Sequence, residues 1–239
     1  RDALYAMEHL PEPATAAGRV HRYAAAALMA RAMLYAERYD KALEAVQVVE
    51  ASTLYGYIDD YASIFKTLDN SEVIWGFGYA GGTLTNSFDL NYSMPGDYCL
   101  SGSKGGGWAG PTQEFVDAFD RADGSPYVPD ADRFITNENV GARDPRLAAC
   151  VLYNGAQWKD RALECFEGGV DQKYMPYGSV NSPGNTVTGY YMRKLLDESN
   201  TDFQLNGSYQ PWPEYRYAEL QLIKAECLAK AQDWDGARS

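Results

Sequence analysis

The chain has 239 residues, of which 46% are hydrophobic and 23% charged, a balance that permits one large globular domain or two small ones. Its 21 basic and 33 acidic residues give a formal net charge of −12, which argues against nucleic acid or an anionic membrane surface as partner. Both of those partners need clustered Lys and Arg. No apolar run approaches the roughly 18–20 residues of a membrane-spanning helix.

Helical segments open the chain. Residues 1–10 form one candidate helix, and a second runs from Gly18 through a stretch rich in helix formers with helical spacing of its apolar residues. A break at 37–40 separates it from a third segment, for which Asp40 is a good N-cap. The connecting turn is so short that the second and third helices must pack antiparallel.

The same pattern returns near the C-terminus. A helical segment over 217–231 is followed by Trp234 and Asp235, which match Tyr39 and Asp40 at a spacing of 195 residues. An aromatic at the turn and small residues where helices cross are typical of tetratricopeptide helix pairs, but a regular array repeats about every 34 residues. We therefore expect two helix pairs separated by a long insertion. Because half-repeats cannot bury their apolar faces alone, we also expect a piece of a larger protein.

Three parts follow from this pattern: 1–53 holds the first helices, 54–212 is an irregular insertion, and 213–239 begins a second helix pair. The predicted fold class is mainly α, with tetratricopeptide-like helix pairs and a long irregular insertion that contains short strands and hairpins. Within the insertion, 71–77 is a strand candidate and 113–120 a short helix.

A hairpin is predicted after Asp144, with its turn at Gln157 and Trp158. Directly opposed residues of a hairpin have a constant index sum, and Cys150 and Cys165 share the sum of this turn. A cross-strand disulfide between them fits an extracellular protein. Two small buried thiols are the alternative, and the sequence favours neither.

The segment 81–110 is the candidate binding region. Eight of its thirty residues are Gly, and it carries three large aromatic side chains that its Gly, Ser and Asn neighbours cannot bury. Sugar rings expose C–H faces that stack on aromatic rings, and their hydroxyls need Asn, Asp and backbone partners. The predicted ligand-binding residues are Trp108, Tyr98, Tyr92, Asn91, Asp97 and Asn86.

Signatures of catalysis and of metal binding are weak. His9 and His21 are the only histidines, and we expect both to be solvated helix residues and not members of a catalytic triad. Asp117, Asp120 and Asp123 lack the alternating spacing of a calcium-binding loop, and no cysteines form a CxxC pair. We predict no catalytic residue, no metal and no cofactor.

Six segments, in order, resemble the SusD/RagB family, and the preceding Leu10-Pro11 resembles that family's LP segment. Each segment alone is weak, but together they cover nearly the whole chain. They are GRVHRYAAAALMARAMLYAERYDKALEAV at 18–46, SEVIW at 71–75, GPTQEFVDAFDRADG at 110–124, RDPRLAACVLYNGAQW at 143–158, TGYYMRKL at 188–195 and RYAELQLIKAECLAKA at 216–231.

The resemblance implies a non-enzymatic, surface glycan-binding component of a TonB-dependent glycan uptake system. Such a protein captures oligo- or polysaccharide and acts as a lid on a partner outer-membrane transporter of the SusC type. The resemblance also implies an outer-membrane lipoprotein, surface-exposed and lipid-anchored, whose signal peptide and anchor lie outside this chain. In this family, the ligand aromatics follow the strand that 71–75 resembles.

Two other functions remain open from the sequence. A tetratricopeptide-type adaptor would grip a peptide in a groove lined by Asn and Lys or Arg, whereas the first helix pair shows Ala, Leu and Met. A glycoside hydrolase would need a pair of carboxylates whose separation in space the sequence does not reveal.

Overall fold

The computed structural model describes residues 1–13, 18–80, 82–130, 133–171 and 186–238. The helices are α1 Asp2–His9, α2 Arg22–Tyr35, α3 Tyr39–Glu50, α4 Phe88–Tyr92, α5 Gln113–Asp117, α6 Pro145–Cys150, α7 Phe203–Asn206, α8 Tyr217–Lys230 and α9 Trp234–Arg238. The strands are β1 Val73–Phe77, β2 Val151–Leu152, β3 Gln157–Trp158, β4 Arg161–Ala162, β5 Tyr191–Met192 and β6 Trp212–Arg216. Short 3-10 helices cover Tyr61–Phe65 and Val140–Ala142.

The chain divides into two compact units. Arg1–Gly78 and Pro211–Ser239 form one, here the helical unit, and Tyr79–Gln210 forms the other, here the insertion unit. Residues 54–78 group with the helices because β1 pairs antiparallel with β6, the strand that leads into α8.

Small residues bring α2 and α3 together in the helical unit. Ala26, Ala27 and Ala30 on α2 and Ala42 and Ala45 on α3 are completely buried. A methyl side chain lets two helix axes approach closely, so larger residues at these positions would force the helices apart. This packing confirms the predicted mainly α fold with tetratricopeptide-like helix pairs. In the described part of the chain, none of the helices has the length and apolar character needed to cross a bilayer.

Arg31 joins α2 to the end of β6 and the start of α8. Its guanidinium donates to both carboxylate oxygens of Glu219, at 2.5 and 2.7 Å, and to a carboxylate oxygen of Glu214 at 2.6 Å. The same group lies 4.4 Å from the centre of the Tyr215 ring. These bonds raise the pKa of Arg31, with the Glu219 carboxylate as the largest cause. Burial of the guanidinium opposes part of that rise.

The predicted starts of α2 and α3 need correction. Arg38 precedes α3 without a side-chain cap, and Asp40 lies inside the first turn. His21 is not solvated: its Nδ1 accepts from the backbone N–H of Ala24 at 3.4 Å, and its Nε2 lies 3.0 Å from the carbonyl oxygen of Ile74. Burial is the main cause that lowers the pKa of this imidazole. His21 therefore caps α2 and does not face water.

The described residues of the insertion unit form little regular structure and are held by buried aromatic and aliphatic side chains. Trp158, Tyr191, Phe203 and Leu147 are among its fully buried members. Two pairs of two-residue strands, β2 with β5 and β3 with β4, belong to this unit. Short irregular segments leave backbone polar groups without ladder partners, so buried polar side chains must supply many of the bonds.

The predicted hairpin after Asp144 is wrong in both start and register. Asp144 caps α6 through its carboxylate, with Pro145 in the first turn. Helix α6 then runs to Cys150. The hairpin begins later, where Gln157 opposes Ala162. The turn therefore lies two residues beyond its predicted position.

This register separates the two cysteines of the predicted disulfide. Cys150 ends α6, and the strand that follows it, β2, pairs with β5 instead of the segment that contains Cys165. Both residues lie in the described part of the chain, where they are buried thiols and not a disulfide. Burial raises the pKa of the Cys165 thiol to about 12.

Candidate functional site

The predicted binding region is a folded segment, not an open loop, although Gly81 lies outside the described residues. Helix α4 occupies its middle, and a hairpin follows over 98–104, where the N–H of Cys99 donates to the carbonyl oxygen of Ser103 at 2.8 Å. The chain then returns along α4 through Gly105, Gly106 and Gly107 to Trp108. Gly105 and Gly106 therefore permit close packing of one backbone against another.

Trp108 is positioned by residues 105–108, here the return segment. Its N–H donates to the carbonyl oxygen of Asn91 at 3.0 Å, and the preceding Gly106 N–H donates to Leu90 at 2.8 Å. A Cβ added at Gly106 would lie 2.6 Å from the Asn91 carbonyl oxygen, so only glycine fits without a shift. Trp108 is 58% exposed. A ring held by a fixed backbone and open to solvent suits stacking.

The other two predicted aromatics differ in their surroundings. Tyr98 starts the 98–104 hairpin opposite Lys104 and is 64% exposed. Tyr92 ends α4, is half-buried, and has its ring centre 6.0 Å from that of Phe88. Tyr98 is therefore available to a ligand over a larger area than Tyr92.

Two of the predicted polar contacts are used inside the protein. Asp97 is only 5% exposed, and its carboxylate accepts from Lys159 Nζ at 2.9 Å and Trp158 Nε1 at 3.1 Å. Asn86 donates from Nδ2 to the carbonyl oxygen of Gln210 at 3.0 Å and accepts the N–H of Phe88 at 2.9 Å. Both side chains brace the segment, and Asn91 remains the predicted amide with no side-chain hydrogen bond in the described structure.

Beside α4 lies a cleft of about 370 Å³, here the polar cleft. Residues 82–90 form one wall and α7 with Gly207 forms the other. Leu90, Phe203 and Leu205 supply its apolar surface. Its polar side chains are Thr83, Thr85, Asn86, Ser87, Gln204 and Asn206.

One bonded framework connects the polar cleft with the aromatic residues. The N–H of Leu100, in the hairpin that carries Tyr98, donates to the carbonyl oxygen of Thr201 at 3.1 Å. The Ser101 hydroxyl donates to Asp202, the cap of α7, at 2.7 Å, which lowers the pKa of that carboxyl. From Ser87 in the cleft to Asn91, the partner of Trp108, is about 6 Å along the axis of α4.

A buried carboxylate holds the two walls of the cleft. Asp89 is 1% exposed and accepts from the Ser208 hydroxyl at 2.8 Å, from Asn200 Nδ2 at 2.9 Å, and from Gln210 Nε2 at 3.0 Å. The Asp197 N–H also donates to it, at 2.9 Å. Every donor is neutral. Such a network fixes α4 against the 197–210 segment, because leaving the carboxylate without these bonds would be costly.

The sequence alone does not indicate the 203–207 wall of the cleft. Gln204 and Asn206 lie more than a hundred residues from Asn86 along the chain, and no periodicity marks a helix as short as α7. The Asp202 cap was the available signal, because Asp before a short apolar stretch favours a helix start. Among the described residues, no group of three or more His, Cys, Asp or Glu side chains is arranged to hold a metal ion.

A larger cleft of about 480 Å³ lies in the helical unit, with Tyr55, Leu68 and Trp75 among its lining residues. Trp75 Nε1 already donates to the carbonyl oxygen of Gly18 at 3.3 Å, and Asn70 accepts two backbone N–H groups at 3.0 Å. The polar groups of Trp75 and Asn70 therefore bond within the protein, whereas the polar cleft presents amides and hydroxyls to solvent.

The model of the SusD family matches residues 71–239, which include the whole insertion unit, β6, α8 and α9. The chain belongs to the SusD family. A search of curated proteins finds no match.

Solved structures share the fold of this SusD-family chain. A SusD-like protein from Bacteroides fragilis NCTC 9343 is 28% identical, with a TM-score of 0.77 over 99% of this chain and 49% of that one. A SusD-like carbohydrate binding protein from the same organism is 23% identical, with a TM-score of 0.82 over 97% of this chain and 45% of that one. Surface glycan-binding protein A from Bacteroides thetaiotaomicron is 19% identical, with a TM-score of 0.59 over 94% of this chain and 46% of that one. The chain therefore spans about half the length of these proteins.

Proposed function

We propose that this chain captures glycans and that the insertion unit contacts them. The observation that carries the proposal is the exposed Trp108 on a rigid backbone beside a cleft lined by amides and hydroxyls. An indole face stacks on the C–H face of a sugar ring, and neutral amides and hydroxyls exchange hydrogen bonds with its hydroxyl groups. Membership of the SusD family supports the proposal, as do relatives described as carbohydrate binding and surface glycan-binding.

The residues proposed to touch the ligand are Trp108 and Tyr98 as stacking surfaces, with Tyr92 at the edge and Asn91, Gln204 and Asn206 as hydrogen-bond partners. Asp97 and Asn86 are not proposed to touch the ligand, because their hydrogen bonds hold the backbone that carries the aromatic residues. The proposal includes no catalytic step.

The test is affinity gel electrophoresis of the chain against dextran, cellulose-type β-glucan, xylan, galactomannan and inulin. At least one polymer should retard the wild-type chain, and Trp108→Ala should weaken that binding by roughly ten-fold, since stacking on an aromatic ring is worth ~1–3 kcal/mol. Phe134→Ala is the matched control, because Phe134 is also an exposed aromatic of the insertion unit but lies outside the candidate site. Equal retardation of all three proteins would place the site elsewhere. A chromogenic glycoside assay on the same samples separates capture from hydrolysis, and release of the chromophore would contradict the non-enzymatic proposal.

We further propose that the full-length protein is lipid-anchored on the outer face of the outer membrane and passes glycan to a TonB-dependent transporter of the SusC type. Family membership and the surface glycan-binding relatives support this. Co-purification from detergent-solubilised outer membranes tests it: the transporter should elute with the tagged full-length protein. Recovery of the protein in the soluble fraction without a transporter would contradict it.

A further inference from the structure

The polar cleft contains no charged side chain among the described residues that line it. Its hydrogen-bonding groups are hydroxyls, amides and backbone atoms. Thr85, Ser87, Gln204 and Asn206 have no side-chain hydrogen bond within the described structure, so their groups face solvent or a ligand. A concave surface of this kind offers both donors and acceptors without charge, which matches a polyhydroxylated neutral molecule.

Two carboxyl groups, Asp89 and Asp202, lie next to the residues that line the cleft. Among the described residues, the donors to Asp89 are all neutral, and the backbone carbonyl of one of them, Gln210, accepts from Asn86 of the cleft wall. Asp202, the cap of α7, bonds to the Ser101 hydroxyl. Neither carboxylate has an ion-pair partner in the described structure. An anion in the cleft would therefore lose hydration water and gain no cation.

Two cations of the insertion unit, Lys159 and Arg161, are already paired. Lys159 donates to Asp97 at 2.9 Å, and Arg161 donates to both oxygens of Asp171, at 2.5 and 2.7 Å. Lys104 is exposed on the 98–104 hairpin and does not line the cleft. Lys159 and Arg161 therefore stabilise the fold, and none of the described cations lines the cleft.

We propose that the polar cleft selects uncharged sugar residues and rejects uronates and sulfated sugars. The inference rests on the proposed glycan capture and adds the chemical class of the ligand. Selectivity arises because a neutral ligand exchanges hydrogen bonds to water for hydrogen bonds to the protein. An anion would in addition be repelled by the carboxylates of Asp89 and Asp202, and the protein between them screens this repulsion less than water does.

The test compares hydroxyethyl and carboxymethyl derivatives of a polymer that retards the chain in the panel above, at equal degree of substitution. The wild-type chain should bind the carboxymethyl derivative at least ten-fold more weakly than the hydroxyethyl derivative. Binding of the hydroxyethyl derivative should change less than two-fold between about 20 mM and about 500 mM NaCl, since screening acts on charges alone. Gln204→Lys should recover part of the carboxymethyl binding, and Gln157→Lys, an exposed Gln outside the cleft, should not.

Two results overturn the inference in distinguishable ways. Equal or tighter binding of the carboxymethyl derivative, weakened by salt, rejects the neutral selectivity while glycan capture stands. Retardation by no polymer of the panel rejects glycan capture and the selectivity with it.

Discussion

Gly106 shows how a residue without a side chain determines where an aromatic residue lies. Its N–H bonds to Leu90, and its Cα faces the Asn91 carbonyl that also accepts the Trp108 N–H. The composition of the 81–110 segment indicates a long loop, because glycine occurs both in turns and in places of close backbone contact. Only the packing partner distinguishes these uses, and that partner is helix α4, which is too short to be predicted.

Gly106→Ala should therefore both destabilise the insertion unit and weaken glycan binding. The added methyl group would lie 2.6 Å from the Asn91 oxygen, and the shift needed to accept it costs about 1–3 kcal/mol. Gly141→Ala is the control, because an added Cβ there meets nothing within 4 Å. Urea unfolding of both variants measures the loss of stability, and identical midpoints would mean that the return segment is not packed against α4 as described.

Asp97 marks a limit of prediction at the residue scale. A carboxylate between Gly and Tyr in a polar loop looks like a ligand contact in the sequence. Its partners Trp158 and Lys159 come from the β3–β4 hairpin, about sixty positions later, and the sequence around Asp97 does not indicate them. The exposed Trp108 was accessible to prediction because its neighbours supply no apolar scaffold, so its exposure follows from local composition.

Arg31 is the central connection between elements of the helical unit. Its guanidinium makes charge-assisted hydrogen bonds to Glu214 and Glu219, which lie almost two hundred residues later in the chain. The sequence indicated the two helical segments through their spacing. It did not indicate Arg31, because Arg on a helix face usually contacts solvent.

Arg31→Ala should lower the free energy of unfolding by about 1–3 kcal/mol, since it removes bonds to charged groups and leaves two neighbouring carboxylates without a cation. Its guanidinium is about a third exposed, so the lower half of that range is expected after solvent screening. Lys41→Ala, which removes an exposed pair with Glu44, should cost less than about 0.5 kcal/mol. Unfolding in urea, an uncharged denaturant, measures the free energy of unfolding of both variants. Equal losses in the two would show that the Arg31 bonds contribute no more than an exposed ion pair.

The α6 segment explains why the hairpin prediction failed at the scale of elements. Asp144 followed by Pro145 is a helix-start signal, and α6 uses it. Val151 and Leu152 then pair with β5, forty residues away, instead of with the nearer chain. A local index sum cannot detect a partner at that distance, so the register and the disulfide were both misjudged.

At the scale of the whole molecule, the sequence predicted the architecture better than the site. Helical periodicity and six ordered motifs identify the fold and the family. The polar cleft combines residues 82–90 with 203–207, and no property of either segment alone indicates that they meet. The bonds of Asp89 to Asn200, Ser208 and Gln210 create that meeting, and they are tertiary.

The location of the ligand is the central claim, and a hydrogen-exchange footprint tests it most directly. Backbone amide exchange of the chain should be measured with and without a saturating oligosaccharide of the polymer that it binds. We predict slower exchange in peptides covering 86–92, 98–108 and 203–207, with α2 and α3 unchanged, because a bound glycan shields and stiffens the segments it contacts. Protection confined to the helical unit, with exchange of those three segments unaltered, would contradict the account.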